Sequence, residues 1–322
     1  MSRPLVRWVE PDGEGTALGG LVLRLGAAGG GALAEGRVFV NGRRETLGEL
    51  VVPPGSVVEV HPGRVVATAV TILAEHRGLV FVSKPPGVAT EPDHAGIASS
   101  LVALVSELMG LLPGALHAVS RLDVGVSGVV TLARSAAAVD LAAGLRARGG
   151  FSRRYVALAV HAPDPSQGSW TWPLPRHLRP RAGTADGERA AETRYASVAL
   201  ASPLFLPGRD ATRITTRPAL LALSPVTGRT HQLRLHATRA GTPLLGDAAH
   251  GGPQRLILSS GSVRALERVC LHAAWVELEL GAEKLRVAAP LPDDLLTLWA
   301  DLGGTAEGWV DALEIALSSA RG

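Results

Sequence analysis

The segment from His117 to Ala133, HAVSRLDVGVSGVVTLA, limits what this chain can fold into more than any other. An apolar run ends in Ser120-Arg121-Leu122-Asp123, a short loop carries Gly125 and Gly128, and a second apolar run follows from Val129 to Ala133. Apolar runs of this length, broken by glycines, predict strand, loop, strand. A carboxylate sits at the bend. Asp123 has two readings at this point: an aspartate closing a turn through its own backbone, or a reactive side chain that a loop exposes while rigid strands fix it.

Strands with turn punctuation continue on both sides. Residues 70–73 and 79–83 flank His76-Arg77-Gly78 as a hairpin, and Lys84-Pro85-Pro86-Gly87 ends it with a rigid turn. Leu101, Leu104, Val105 and Leu108 recur at helical spacing, so residues 97–112 read as an amphipathic helix stopped by Pro113-Gly114. A second helix over 135–148 has Ser135 as its N-cap and Ala138, Leu141, Ala142 and Leu145 on its inner face. Residues 151–161 alternate as a buried strand. Residues 162–188 are rich in Pro, Gly and Arg and carry Trp170, Trp172, Arg176, His177, Arg179 and Arg181, which predicts a surface loop able to contact a substrate.

Further strands are predicted over 192–200 and 218–224, then a helix over 230–239 that Gly228 precedes and Gly241 closes. Strands over 271–280 and 284–288 lead to a helix opened by Pro292-Asp293-Asp294, and from Gly303 onward the chain reads as a weakly amphipathic tail. The first 68 residues look like a separate small unit. Within it a strand at Val38 to Val40, an Asn41-Gly42 turn and a strand near Val57 to Val60 are legible, whereas Gly26 to Gly31 makes a poor helix, each interior glycine costing about 1 kcal/mol.

Composition bounds the class of protein. With 322 residues, 46% hydrophobic and 19% charged, the chain can bury a sizeable core. No run reaches the eighteen apolar residues a membrane helix needs, and the N-terminus shows no signal-peptide core, so a cytoplasmic location is expected. The single cysteine, Cys270, excludes an internal disulfide, and the ten histidines show no metal-ligand spacing, so neither metal nor cofactor is expected. The balance of +3 and a pI near 9.6 permit an RNA partner without requiring one.

Ser120 to Gly128, SRLDVGVSG, resembles the signature of the RluA family of RNA pseudouridine synthases, usually HRLDxxTSG. Three more blocks follow the family's order: VFVSKPPGVATEPD at 80–93, SRRYVALAV at 152–160 and TGRTHQLRLHATRAGTPLLGD at 227–247, with a late LHA at 271–273. The resemblance spans roughly residues 70 to 290. It implies an α+β pseudouridine synthase fold, a mixed and mainly antiparallel sheet with flanking helices around a central cleft, over residues 69–302. A degenerate S4-like domain over 1–68 precedes it, and a tail over 303–322 follows.

The resemblance also implies a reaction, isomerisation of uridine to pseudouridine in a structured ribosomal or transfer RNA, by a monomer without cofactor. Asp123 matches the nucleophile, Arg234 the arginine that pairs with it, and Tyr155 the aromatic that stacks on the target base and is a candidate for taking the C5 proton. Arg121 matches an arginine that some relatives insert into the RNA, and Arg229, His231 and Gln232 belong to a supporting RNA-binding block. Lys84 lies in a turn that supports the cleft floor or is simply an exposed charge. Ser120 and Val126 depart from the family's His and Thr. Two other readings stay open: an RNA-binding relative with little catalysis, and a glycosidase-like enzyme in which Asp247 would be the second carboxylate.

Overall fold

The computed structural model describes residues 6–9, 16–23, 31–61, 70–94, 96–176, 187–207 and 213–317. Its main body is built on a ten-stranded sheet. The strands lie in the order Gln167–Trp170, Thr193–Leu200, Ala219–Pro225, Phe151–Ala159, Leu271–Leu280, Ser127–Ala133, Leu79–Lys84 and Thr71–His76. Glu283–Ala288 adds to Leu271–Leu280, and His117–Ala118 adds to Ser127–Ala133. One pairing within this sheet is parallel: Ser127 lies opposite His272 and Gly128 opposite Ala273. The other pairings are antiparallel, so the sheet is mixed and the fold is α+β. Gly128 has φ +119, and a Cβ there would collide with the Ala273 backbone, so only glycine permits the parallel junction.

The period-two alternation of the strands sorts their side chains onto two faces. Val80, Val82, Val130, Tyr155, Ala157 and Leu221 pack on one face with Leu101 and Val105 of the helix Leu101–Leu108 and with Leu233 and Ala237 of the helix Gln232–Arg239. The opposite parity, Leu79, Phe81 and Val129, packs against Ala138, Ala142 and Leu145 of the helix Ala136–Ala147. Farther along that second face, Val156, Leu158, Leu220 and Ala222 meet Leu295, Leu298 and Trp299 of the helix Asp293–Asp301. Cys270 lies in this packing, and burial pushes its thiol up to about 12.

Several sequence expectations shift. Ser135 caps its helix through the Ala138 N–H, but the preceding helix begins only at Leu101, because Ser100 caps it there by accepting the Ala103 N–H. The segment 162–188 is less of a loop than its composition predicts. Gln167–Trp170 is the edge strand of the sheet, with Trp170 stacked on Tyr195 at 4.2 Å, and Leu174–Pro175 pairs with Glu188–Arg189. His177, Arg179 and Arg181 lie outside the described residues. The tail beyond Gly303 includes a helix, Ala306–Glu314, which buries Trp309 and Ala312 in the same packing as Trp299. Arg154 donates to the Ile315 carbonyl at 2.7 Å and Trp275 to Leu313 at 3.1 Å, tying that helix to the sheet.

Before the main body, Val6–Val9, Val57–Val60, Val38–Val40 and Arg43–Glu45 form a four-stranded antiparallel sheet in that order. Asn41 and Gly42 carry φ of +49 and +79, as a two-residue hairpin requires. Leu18 and Val22 of the helix Leu18–Leu23 complete its core. The glycine-rich stretch expected before Gly31 lies outside the described residues. The unit touches the main body where Ile97 N–H donates to the Glu35 carbonyl at 2.7 Å and Arg44, braced on the Gly36 carbonyl of its own unit, reaches the Asp93 carbonyl.

Candidate active site

Asp123 sits in the loop between His117–Ala118 and Ser127–Ala133, and both of its sequence neighbours are pinned. Thr90 donates its hydroxyl to the Leu122 carbonyl at 2.9 Å and accepts the Leu122 N–H at 3.0 Å. The Val124 carbonyl accepts from Gly87 N–H at 2.7 Å and from Lys84 Nζ at 3.3 Å. Lys84 also donates to Pro85 and Val88 at 3.0 and 2.7 Å and is fully buried. Of its two readings, the exposed charge is therefore the wrong one. A buried ammonium that satisfies three carbonyls fixes the proline turn against the loop.

The carboxylate of Asp123 remains partly open, 27% exposed, while its partners lie deeper. Arg234 Nη1 donates to Asp123 Oδ2 at 2.8 Å. The other edge of the same guanidinium makes a bidentate pair with Asp247, Nε to Oδ2 at 2.8 Å and Nη2 to Oδ1 at 2.6 Å. Burial alone would pull the Arg234 guanidinium down, but its bonds to Asp247 and Asp123 outweigh burial and hold it above its ordinary value. Asp247 is the important site residue that residue-level reading did not assign. Its side chain is fully buried, so it has no access to a substrate and cannot serve as the second carboxylate of a glycosidase.

His231 approaches from the start of the same helix. Its Nε2 lies 3.7 Å from Asp123 Oδ2, and its Nδ1 is 2.7 Å from His250 Nε2. Burial lowers the ionisation of both imidazoles, and Arg234 lowers it further in each; Asp123 and Asp247 act the other way. Tyr155 is buried on the site-facing side of the sheet. Burial pushes its phenol up, Arg153 pulls it down, and the charge of Asp123 pushes it up again. Arg153 itself reaches the Thr227 carbonyl at 3.1 Å, beneath the turn that carries Gly228.

The remaining predicted residues divide by surroundings. Gln232 is buried with its amide saturated: Nε2 donates to the Glu192 carbonyl and Thr193 Oγ1, and Oε1 accepts from Thr227 Oγ1 and Arg229 N–H. It holds the 227–232 turn from inside. Arg229 donates to the Ala190 carbonyl at 3.1 Å and faces solvent, and Arg121 is exposed in an ion pair with Glu91 at 2.9 Å. Ser120 is buried with its Oγ accepting the Thr131 N–H, and Val126 packs in the core beside Leu122. Both departures from the signature thus fill structural positions. Thr90 falls within the 80–93 block but received no role there, because a threonine pinning a loop 32 residues away has no local pattern.

A partly open carboxylate held by a buried guanidinium, on a loop pinned from both sides and near a buried tyrosine, forms the candidate site. Comparison with known proteins agrees on the family. The description RNA pseudouridylate synthase matches residues 78–239. The ribosomal large subunit pseudouridine synthase D of Xanthomonas campestris is 32% identical over 244 residues, covering 72% of this chain and 69% of the relative. The ribosomal large subunit pseudouridine synthase C of Escherichia coli O157:H7 is 31% identical over 287 residues, covering 82% and 84%. Among solved structures, human RNA pseudouridylate synthase domain containing 4 superposes with a TM-score of 0.54 at 26% identity, covering 72% of this chain and 92% of that one. The chain belongs to the RluA family of RNA pseudouridine synthases, enzymes of the isomerase class.

Proposed function

We propose that this chain isomerises uridine to pseudouridine in a structured ribosomal RNA, with Asp123 as the nucleophile. The observation that carries the reading is the Arg234 bridge, which keeps an accessible carboxylate paired while a buried one anchors the bridge. In the reaction, Asp123 attacks C1′ and the N1 bond breaks, its electron pair leaving with uracil. The freed base turns, C5 bonds to C1′ and releases Asp123, and the C5 proton is removed while N1 gains one. Atoms and charge balance with no cofactor.

Tyr155 forms the floor on which the loosened uracil stacks. Burial holds its phenol protonated, so to take the C5 proton it first gives up its own, the proton that N1 gains, and Arg153 steadies the phenolate between the two transfers. Arg121 and Arg229 face solvent and supply cations to the RNA backbone, Arg121 by exchanging its exposed Glu91 partner, a pair worth under about 1 kcal/mol. His231 and Gln232 shape the cleft edge. The small domain over 1–68 is read as an accessory RNA-facing unit, and a monomer suffices because one chain supplies the whole cleft. Ribosomal RNA is preferred over transfer RNA because of the names of the two bacterial relatives. A cytoplasmic location follows from that substrate; no described helix is long and apolar enough to cross a membrane.

The test incubates wild type and Asp123→Asn with total RNA lacking the modification and maps carbodiimide-dependent reverse-transcription stops. A stop in ribosomal RNA from wild type alone is expected. Stops from neither protein, with RNA affinity kept, would favour an RNA-binding role instead; a stop confined to transfer RNA would move the substrate.

A further inference from the structure

The short loop 244–252 reaches Asp123 through two arms. Asp247 takes the first through Arg234. The second is His250, three residues on and at the end of the 3-10 turn Ala248–His250, whose Nε2 is 2.7 Å from His231 Nδ1. The loop has little freedom: a Cβ on Gly246 or Gly252 would strike backbone, Thr238 Oγ1 donates to the His250 carbonyl at 2.6 Å, and His250 N–H donates to Asp247. His231 is held just as firmly, in a left-handed conformation at φ +53 that a non-glycine residue adopts only where its surroundings impose it. The two rings meet edge to face at 83°.

Proton placement follows from charge. His231 Nε2 faces the Oδ2 that already accepts from Arg234, and a lone pair aimed there would repel an ionised carboxylate. The nitrogen must therefore carry the proton, which leaves Nδ1 as the acceptor and makes His250 Nε2 the donor. We propose that His250 is a positioning residue that fixes His231 as its Nε2–H tautomer, so that an N–H rather than a lone pair faces Asp123 Oδ2 at 3.7 Å beside the guanidinium. Arg234 then holds Oδ2 with the His231 N–H turned toward it, and among the described residues no hydrogen bond falls on Oδ1, the oxygen left to attack. The assignment of an attacking role rests on the functional reading above; the tautomer does not. The charged groups facing the pair are Asp123, Arg234 and Asp247.

Nitrogen-15 spectra of the histidines in the wild-type chain without RNA read the tautomer directly. His231 protonated on Nε2 is expected, with His250→Ala shifting it toward a mixture. In single-turnover assays on RNA at pH 8, His250→Ala is expected to be slower by up to about tenfold, the worth of the His250–His231 hydrogen bond that fixes the ring, with half-saturating RNA unchanged. The deficit narrows as the pH is lowered, because a His231 protonated on both nitrogens presents Nε2–H without help. His250→Gln, whose amide can donate to Nδ1, is expected to recover most of the rate. A wild-type His231 protonated on Nδ1, a deficit equal at every pH, or a glutamine variant as slow as alanine would overturn the proposal. Wild type inactive on every RNA would overturn the functional reading alone, and the spectrum would still decide the role of His250.

Discussion

At the scale of the residue, Arg234 is asked to do two things that differ in cost. Its pair with Asp247 is buried, and removing one member of such a pair leaves an uncompensated charge, which costs about 3 kcal/mol or more. Its pair with Asp123 is partly open, so the loss there is screened. Asp247→Asn is therefore expected to lower stability by about 3 kcal/mol in urea unfolding, and Asp123→Asn by less than about 1 kcal/mol while abolishing turnover. Equal losses from the two variants would show that the arms of the bridge are equivalent.

His272 lies at the end of the Asp123 loop, with Nδ1 2.9 Å from Ser127 Oγ. Burial, helped by Arg268, lowers its ionisation to about 4. Unfolded, it titrates near 6.5, so between those values the unfolded chain binds the extra proton. Stability present above pH 6.5 is then lost as the pH falls toward 4. Going from pH 7 to 4.5, wild type is expected to lose on the order of 2 kcal/mol more than His272→Gln, measured by urea unfolding at both pH values.

At the scale of the element, the loop that carries Asp123 owes its shape to groups outside it. Lys84 ends the strand Leu79–Lys84 and turns its ammonium onto carbonyls of Pro85, Val88 and Val124. Lys84→Met keeps the length and apolar stem but leaves those acceptors without this donor in a dry site. A loss of about 3 kcal/mol is expected, with turnover falling more than RNA affinity, since the loop and not the RNA surface is loosened. Denaturation paired with binding by fluorescence anisotropy separates the two effects. RNA affinity falling in step with turnover would place Lys84 on the RNA surface instead.

At the scale of the whole molecule, the sheet is covered on both faces, and the last helix belongs to that cover. Trp309 packs within 6.2 Å, ring to ring, of Trp299. Trp309→Ala is expected to cost about 3 to 4 kcal/mol and to lower the thermal midpoint without changing which uridine is modified. A midpoint unmoved by the change would mean that the segment beyond Gly303 is dispensable. The helices that carry Leu101, Val105 and Leu233 occupy the face opposite, the same face as Tyr155, and Arg234 of the Leu233 helix reaches Asp123 there.

Local patterns in the sequence determined the strands, the Ser135 cap, the Asn41-Gly42 hairpin and the loop with Asp123, because period, capping and turn chemistry act over a few residues. The ordered blocks determined the family and named Asp123, Tyr155 and Arg234. Composition misled at 162–188 and beyond Gly303, where pairing with distant strands and packing against Trp299 made structure from segments with weak local preference. Only the tertiary structure decided that Lys84 is buried, that Asp247 anchors the guanidinium, and that His231 and His250 meet. Those contacts join residues 13 to 40 positions apart, and a hydrogen bond between groups so separated leaves no periodicity behind it.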